Sequence, residues 1–320
     1  MRNPVSLKIR KQLNNIEKEL KQIIEGSGHS VKKAYLETIN AGGKRLRPAL
    51  VYLCSEYPRA DKKSVQNAAL AVEIIHAASL IHDDIMDGAK LRRGKPTVYS
   101  KWGTSVALRT GDYLFAQAFL LLNETGNFRA VGILSEAVKK LSEGEIEQIK
   151  SAYNTDQTRA YYLKKIGCKT ASLFRASAEL GALFGGADEL NIKALGNYAE
   201  YLGVAFQIYD DILDVAADEK ALGKSLGTDL RDGTLTLPIL LAIKESKSKR
   251  LADIFTKEKC SEKDIKEGLQ IIVSTTSADK SQKEAKSFVD KAMLELEPLK
   301  DAKLKKELKA ICEYTIERYS

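Results

Sequence analysis

Proline is scarce in this 320-residue chain, and none of the six falls between Pro96 and Pro238. A stretch that long without a helix breaker leaves room for long uninterrupted helices. Alternating apolar and polar runs of strand type are also few, which argues against a sheet protein. No Pro-, Gly- or Ser-rich linker divides the chain, so one large all-α domain over 1–320 is expected, although the length alone would admit two. The four cysteines (Cys54, Cys168, Cys260 and Cys312) lie far apart and form no metal-type pair. Scattered thiols suit a reducing compartment. The first twenty residues are charged and amphipathic, with no apolar signal core, and no run approaches eighteen apolar residues without charge. A cytoplasmic location is the expectation.

Several chemistries are missing as well. There is no Gly-x-x-x-x-Gly-Lys-Ser/Thr or kinase signature, which excludes the common routes of nucleotide phosphoryl transfer. Neither acidic cluster continues into the glycine and terminal glutamate of an EF-hand. No Ser/His/Asp or Cys/His set stands at a motif. The net charge of +8 favours an anionic partner, whether phosphate ligand, nucleic acid or membrane surface. Much of that excess sits in solvated-looking runs, 244–250 and 303–306. Aromatic interleaving and nucleic-acid motifs are both absent, so nucleic acid is set aside.

What the chain does have is acid at the ends of apolar helices. From Val65 to Ile85 the pattern is apolar nearly all round, which marks a buried central helix. It closes on His82-Asp83-Asp84-Ile85-Met86-Asp87. Asp83 and Asp87 lie one turn apart on one face, with Asp84 about 100° round. A second copy, Phe206-Gln207-Ile208-Tyr209-Asp210-Asp211-Ile212-Leu213-Asp214, ends the helix expected over 190–217. Gln207, Asp210 or Asp211, and Asp214 share a face there. Three acids on a buried helix repel one another and need cations. Two such ends facing each other would offer carboxylate oxygens, which suit Mg²⁺.

Basic residues stand near these acids. Gly42-Gly43-Lys44-Arg45-Leu46-Arg47-Pro48 reads as a flexible turn running into a helix start, where anions are favoured. Lys90 to Thr97 is a turn with four cations, and its Arg92 and Arg93 either bridge to the acids or grip a metal-bound diphosphate. His76, two turns before Asp83, is either a core histidine or a phosphate ligand. The polar loop from Ala217 to Asp232 carries Lys224 and suits a mobile cover. Further helices are read over 5–25, 103–123, 128–151, 158–184, 262–273, 281–296 and 302–319, with another apolar helical start at Pro238 to Leu241.

The acids need divalent cations, and a diphosphate would complete the coordination of those cations. The metals would then act as Lewis acids on a departing diphosphate, and the carbocation left behind needs an apolar shelter. Ala78 and Ser79, then Ile75, then Ala71 and Val72 descend from Asp83 over roughly 16 Å. Small residues at 78 and 79 would leave such a well open at the top, with Ile75 and Val72 narrowing it below. Ordinary helix packing is the alternative.

Taken together, these residues resemble the trans-prenyltransferases, the polyprenyl diphosphate synthases, and among them the two-component heptaprenyl type. The motifs run in order from Gly42 to Pro238: GGKRLRP, HAASLIHDDIMD, LRRGKPT, TGDY, GEIEQI, KT, FQIYDDILD and LGKSLGTDL. The resemblance implies an all-α, isoprenoid-synthase-type helical bundle around a central cavity. It implies that Lys44, Arg47, His76 and Arg93 hold isopentenyl diphosphate. Arg92, Lys169, Thr170 and Gln207, with Lys224, would hold the allylic diphosphate. Asp83, Asp87, Asp210 and Asp214 would bind up to three Mg²⁺, with Asp84, Asp211 and Lys169 completing the catalytic set.

Product length is read from two details. The first acid motif lacks the two-residue insertion of bacterial farnesyl synthases, and Ala78 and Ser79 stand where short-chain enzymes carry aromatics. A C30–C40 product is expected, with a geranylgeranyl or other shorter-chain diphosphate synthase, or a non-catalytic subunit of a heteromeric synthase, as alternatives. A terpene cyclase would have no use for GGKRLRP and Arg93. Thr234 departs from the lysine of many relatives. The implied assembly is a homodimer or a heterodimer with a small accessory subunit, its product released to membrane.

Overall fold

In the computed structural model, residues 6–23, 29–40, 42–216, 226–246 and 249–317 are described. The elements run α1 (Leu7–Gln22), α2 (His29–Asn40), α3 (Leu46–Cys54), α4 (Lys62–Met86), a hairpin of β1 (Leu91–Arg92) and β2 (Lys95–Pro96), α5 (Val98–Asn123) and α6 (Phe128–Lys150). They continue through α7 (Arg159–Ile166), a π-helical turn (Gly167–Ala171), α8 (Ser172–Gly185), α9 (Glu189–Ala216) and α10 (Thr228–Arg231). The last are α11 (Leu237–Glu245), α12 (Arg250–Phe255), α13 (Glu262–Val273), α14 (Ser277–Glu295) and α15 (Ala302–Glu317). The all-α expectation holds.

Local chemistry sets many of these boundaries. The Asp61 carboxylate accepts from the Lys63 and Ser64 amides to start α4, and the Thr97 hydroxyl accepts from the Ser100 amide to start α5. Such caps satisfy amides that the first turn leaves without a helical partner. Ser261 and Asp264 form a reciprocal capping box on α13. The helix read from 103 begins five residues earlier, and the backbone kinks at Gly103, where φ is +81°. The segment read as one helix over 158–184 is helical throughout but widens into the π turn at its middle. The helices α2 and α12 were not anticipated from periodicity, and the basic turn after Asp87 closes as a two-stranded hairpin.

The chain gathers into two compact units, each assembled from separated segments. One comprises 1–138, 173–199 and 296–311; the other comprises 139–172, 200–295 and 312–320. In the first unit α4 packs along α5 and against α3. Alanines 68, 71 and 78 are fully buried on α4, and such small side chains let neighbouring backbones approach. At the α4–α5 contact the His82 ring lies over Gly111, and its Nε2 is 3.2 Å from the Leu108 carbonyl. A Cβ at position 111 would come 2.1 Å from that nitrogen. By length and composition α4 could cross a membrane, but 83% of its apolar window is buried inside the protein, as a core helix requires.

In the second unit the apolar core joins α9 through α13: Val215, Leu230, Ile239, Leu251, Phe255 and Ile265 are all at most 2% exposed. Each fully buried Leu or Ile contributes roughly 1.5–3 kcal/mol. This packing fixes the C-terminal end of α9. Cys54, Cys168, Cys260 and Cys312 form no disulfide.

Candidate functional site

The acidic end of α4 sorts its three carboxylates by depth. Asp84 is 4% exposed and accepts a hydrogen bond from Arg92 Nε at 2.7 Å. Burial raises its pKa, against the lowering effect of Arg92. Asp83 is half-buried and Asp87 is exposed, the latter capping the helix with its amide on the Asp83 carbonyl. The inward acid therefore has a cation for company, while the pair one turn apart lies nearer the surface.

Beside this end stand the cations read from the sequence. Gly42 (φ +81°) and Arg45 (φ +50°) turn the backbone into α3. Arg45 faces inward: its guanidinium donates to the Glu73 carboxylate on α4 and to the Ile39 carbonyl. Lys44 is exposed, and Arg47 is half-buried with its guanidinium 4.7 Å over the Phe174 ring. A Cβ on Gly43 would come 3.1 Å from an Arg93 terminal nitrogen, so this glycine makes room for that guanidinium. The turn and the hairpin thus meet. His76 lies within the field of both, and its pKa falls well below the usual histidine value. Burial is the main cause, followed by Arg47, Arg93, Arg92 and Arg45. It is a neutral imidazole among arginines.

Lower on α4, Ile75, Ala78, Ser79 and Val72 are all buried. The Ser79 hydroxyl donates to the His76 carbonyl at 3.0 Å, so its polar end is satisfied within the helix.

The second unit builds its own set around the end of α9. Asp211 is 5% exposed and accepts from two neutral donors: Tyr162 Oη at 2.6 Å on Oδ2, and Gln207 Nε2 at 2.8 Å on Oδ1. Spacing leaves open whether Asp210 or Asp211 shares the face of Gln207 and Asp214, and it is Asp211 that accepts from Gln207. Thr170 Oγ1 in turn donates to Gln207 Oε1 at 2.7 Å. Burial raises the pKa of Asp211 to about 7, although both hydrogen bonds oppose it. Lys165 is also buried, and its charge opposes the rise at Asp211 and at Asp229.

Asp210 and Asp214 are half-buried. The Asp214 carboxylate accepts from the Thr228 and Asp229 amides at 3.2 and 3.0 Å, which ties the start of α10 to the end of α9. Lys169 is held in the π turn by Glu145 at 2.8 Å and donates to Gln148 at 3.3 Å. Gly144 backs it: a Cβ there would meet the Lys169 amide nitrogen at 2.7 Å. Single π turns frequently mark functional sites. Lys224, also predicted for binding, lies outside the described residues.

Sequence reasoning missed Tyr162, Lys165 and Asp229. Asp229 sits inside LGTDL, so a signal existed. Tyr162 and Lys165 carry none, because i, i+3 spacing in a helix is everywhere.

Among the described residues, no three His, Cys, Asp or Glu side chains gather closely enough to hold a metal ion by themselves. Each acid end offers instead two carboxylates one turn apart, Asp83 with Asp87 and Asp210 with Asp214. Mg²⁺ is commonly held by one or two carboxylates, with phosphate oxygens and water filling the rest. The donor set fits Mg²⁺ bound together with a diphosphate.

Comparisons agree with this chemistry. Residues 29–272 match the family model for polyprenyl synthetase. Heptaprenyl diphosphate synthase component 2 of Geobacillus stearothermophilus is 44% identical over 234 residues, 73% of each chain. A geranylgeranyl diphosphate synthase of Saccharolobus solfataricus is 35% identical over 98% of each chain. The polyprenyl synthase of Caulobacter crescentus CB15, solved with calcium and isoprenyl diphosphate, superposes with a TM-score of 0.92 at 33% identity. The match covers 97% of this chain and 96% of that one. The isoprenoid-synthase helical fold expected from the motifs is the fold observed.

Proposed function

The chain belongs to the polyprenyl synthetase family and is a prenyltransferase of isoprenoid biosynthesis, and from that premise we propose that it is a medium-chain trans-polyprenyl diphosphate synthase making a C30–C40 product. The substrates are isopentenyl diphosphate and an allylic diphosphate. The observation that carries the reading is the presence of two distinct anion-binding chemistries. Arg47, His76 and Arg93 cluster around one turn, while Lys169, Thr170 and Gln207 are organised around a π turn. Two diphosphates need two such sets.

In this reading Lys44, Arg47, His76 and Arg93 hold isopentenyl diphosphate. His76, being neutral, contributes a hydrogen bond rather than a fourth charge. Arg92, Lys169, Thr170 and Gln207, with Lys224, hold the allylic diphosphate. Asp83, Asp87, Asp210 and Asp214 are the carboxylates for Mg²⁺, which when bound supplies Lewis-acid stabilisation of the leaving diphosphate. The allylic C–O bond breaks, the isopentenyl double bond attacks the cation, and a proton is lost to the released pyrophosphate. No side-chain base is required. Arg92 meets Asp84 through Nε rather than through its terminal nitrogens, so its role at the diphosphate is compatible with the ion pair.

Product length rests on Ala78 and Ser79, small buried residues about one turn before Asp83. Farnesyl diphosphate, isopentenyl diphosphate and Mg²⁺ would be incubated with the protein and its products identified by mass spectrometry. Products of C30 to C40 are expected. Only C15 or C20 would overturn the length assignment in favour of a geranylgeranyl or other shorter-chain synthase. Because one relative is named a component 2, we also propose a small unlike subunit as partner. The assay and gel filtration would be run with and without it, and full activity from the chain alone would overturn that part.

A further inference from the structure

Tyr162, Lys165 and Asp229 have no assigned part in substrate binding, and Tyr162 has a defined connection to Gln207 and Thr170. Tyr162, on α7, is 1% exposed. Its hydroxyl donates to Asp211 Oδ2 at 2.6 Å. The other Asp211 oxygen accepts from Gln207 Nε2 at 2.8 Å, and Gln207 Oε1 accepts from Thr170 Oγ1 at 2.7 Å. The four groups form a single hydrogen-bonded chain.

An amide side chain has a donor end and an acceptor end, and turning it over costs both bonds. A carboxylate held rigidly beneath Gln207 accepts from its nitrogen. The amide oxygen must then face Thr170. That orientation fixes which Gln207 N–H is left to meet a phosphate oxygen, and it fixes where the Thr170 hydroxyl points. The carboxylate itself can only be rigid if its second oxygen is held, and Tyr162 holds it from a fully packed position.

We infer that Tyr162 is a positioning residue for the allylic diphosphate, acting through Asp211 to fix the orientation of Gln207 and Thr170. The inference rests on the proposed assignment of Gln207 and Thr170 to that substrate. It adds a residue of α7 that touches no substrate. Lys165, one turn on from Tyr162 and also buried, balances the Asp211 and Asp229 carboxylates from the same helix.

The test is Tyr162→Phe, which removes one oxygen and keeps the packed ring. Steady-state kinetics would vary farnesyl diphosphate and isopentenyl diphosphate separately at saturating Mg²⁺. The expected result is a KM for farnesyl diphosphate raised roughly tenfold, with the KM for isopentenyl diphosphate within about twofold of wild type. A merely structural role would lower the active fraction, and so kcat, and leave both KM values alone; that pattern overturns the inference. Thr170→Val, alone and combined with Tyr162→Phe, gives a second measurement. Effects acting through one hydrogen-bonded chain are non-additive, so full additivity also overturns it. Should Phe at 162 fail to fold, Asp211→Asn carries the same expectation, because it keeps the shape and offers Gln207 a group that can present the wrong end. A wild-type protein that transfers nothing from farnesyl diphosphate would instead overturn the function proposed above.

Discussion

The two acid motifs have the same spelling, Asp-Asp-x-x-Asp, and the protein buries the middle residue of both, but it satisfies them in opposite ways. Asp84 is answered by a cation, Arg92, on a hairpin. Asp211 is answered by neutral donors, Tyr162 and Gln207, on packed helices. A buried carboxylate needs either a counter-charge or several hydrogen bonds, and each motif takes one of these solutions. The difference teaches what each can govern. An ion pair anchors a loop to a helix end, whereas a hydrogen-bonded chain sets the direction of a neighbouring amide.

The sharpest test of the comparison concerns the outward acids, which should behave alike. Asp83→Ala and Asp210→Ala are each expected to cut prenyl transfer by orders of magnitude, about a hundredfold or more, with circular dichroism and Tm near wild type. Near-normal turnover in either would break the symmetry between the motifs. Next in size is the inward pair. Arg92→Leu strands the Asp84 carboxylate and should cost about 3 kcal/mol of stability, measured by urea unfolding, with much of it recovered in the Arg92→Leu/Asp84→Asn double variant. The corresponding loss at Asp211, in Tyr162→Phe, should be nearer 1 kcal/mol, because only a neutral donor is removed. Equal losses would erase the distinction.

Gly144→Ala should cost about 1–3 kcal/mol by overpacking against the Lys169 backbone. It should also weaken farnesyl diphosphate binding more than isopentenyl diphosphate binding, because Lys169 moves. The smallest effect is in pH. His76 has a folded pKa below its unfolded value, so the unfolded chain binds the extra proton and stability is lost as pH falls below about 6.5. Asp211 has a raised folded pKa, so its contribution is present at low pH and is lost as pH rises through about 7. Thermal melts from pH 5 to 8 should therefore change slope in opposite senses for His76→Gln and Asp211→Asn, each relative to wild type.

Much of this was legible in the chain itself. Helical period and the absence of proline foretold α4, α9 and most of the rest, and the two acid motifs with their basic neighbours foretold the chemistry. Periodicity placed Asp84 about 100° away from Asp83 but could not say that Arg92 would meet it. Arg45 and Arg47 are two residues apart in one motif, yet one turns inward to Glu73 and the other lies over Phe174. The backbone is left-handed at Arg45, and a sequence does not display φ. The π turn escaped for a similar reason. A single widened turn leaves the apolar pattern of 158–184 almost untouched while shifting Lys169 and Thr170 around the axis. Tyr162 reads as core because it is core, with one oxygen that matters.

The His82 ring over Gly111 has a consequence for anyone altering this protein. Position 111 lies a helix away from the acids, yet its nearest neighbour across the gap is the residue immediately preceding Asp83. Adding a single methyl there would push on the imidazole and, through the shared backbone, misalign the carboxylate beside it. Such a variant would look like a chemical defect in any assay while every reacting group was still present. In a saturation library scored for turnover, that site should return glycine alone.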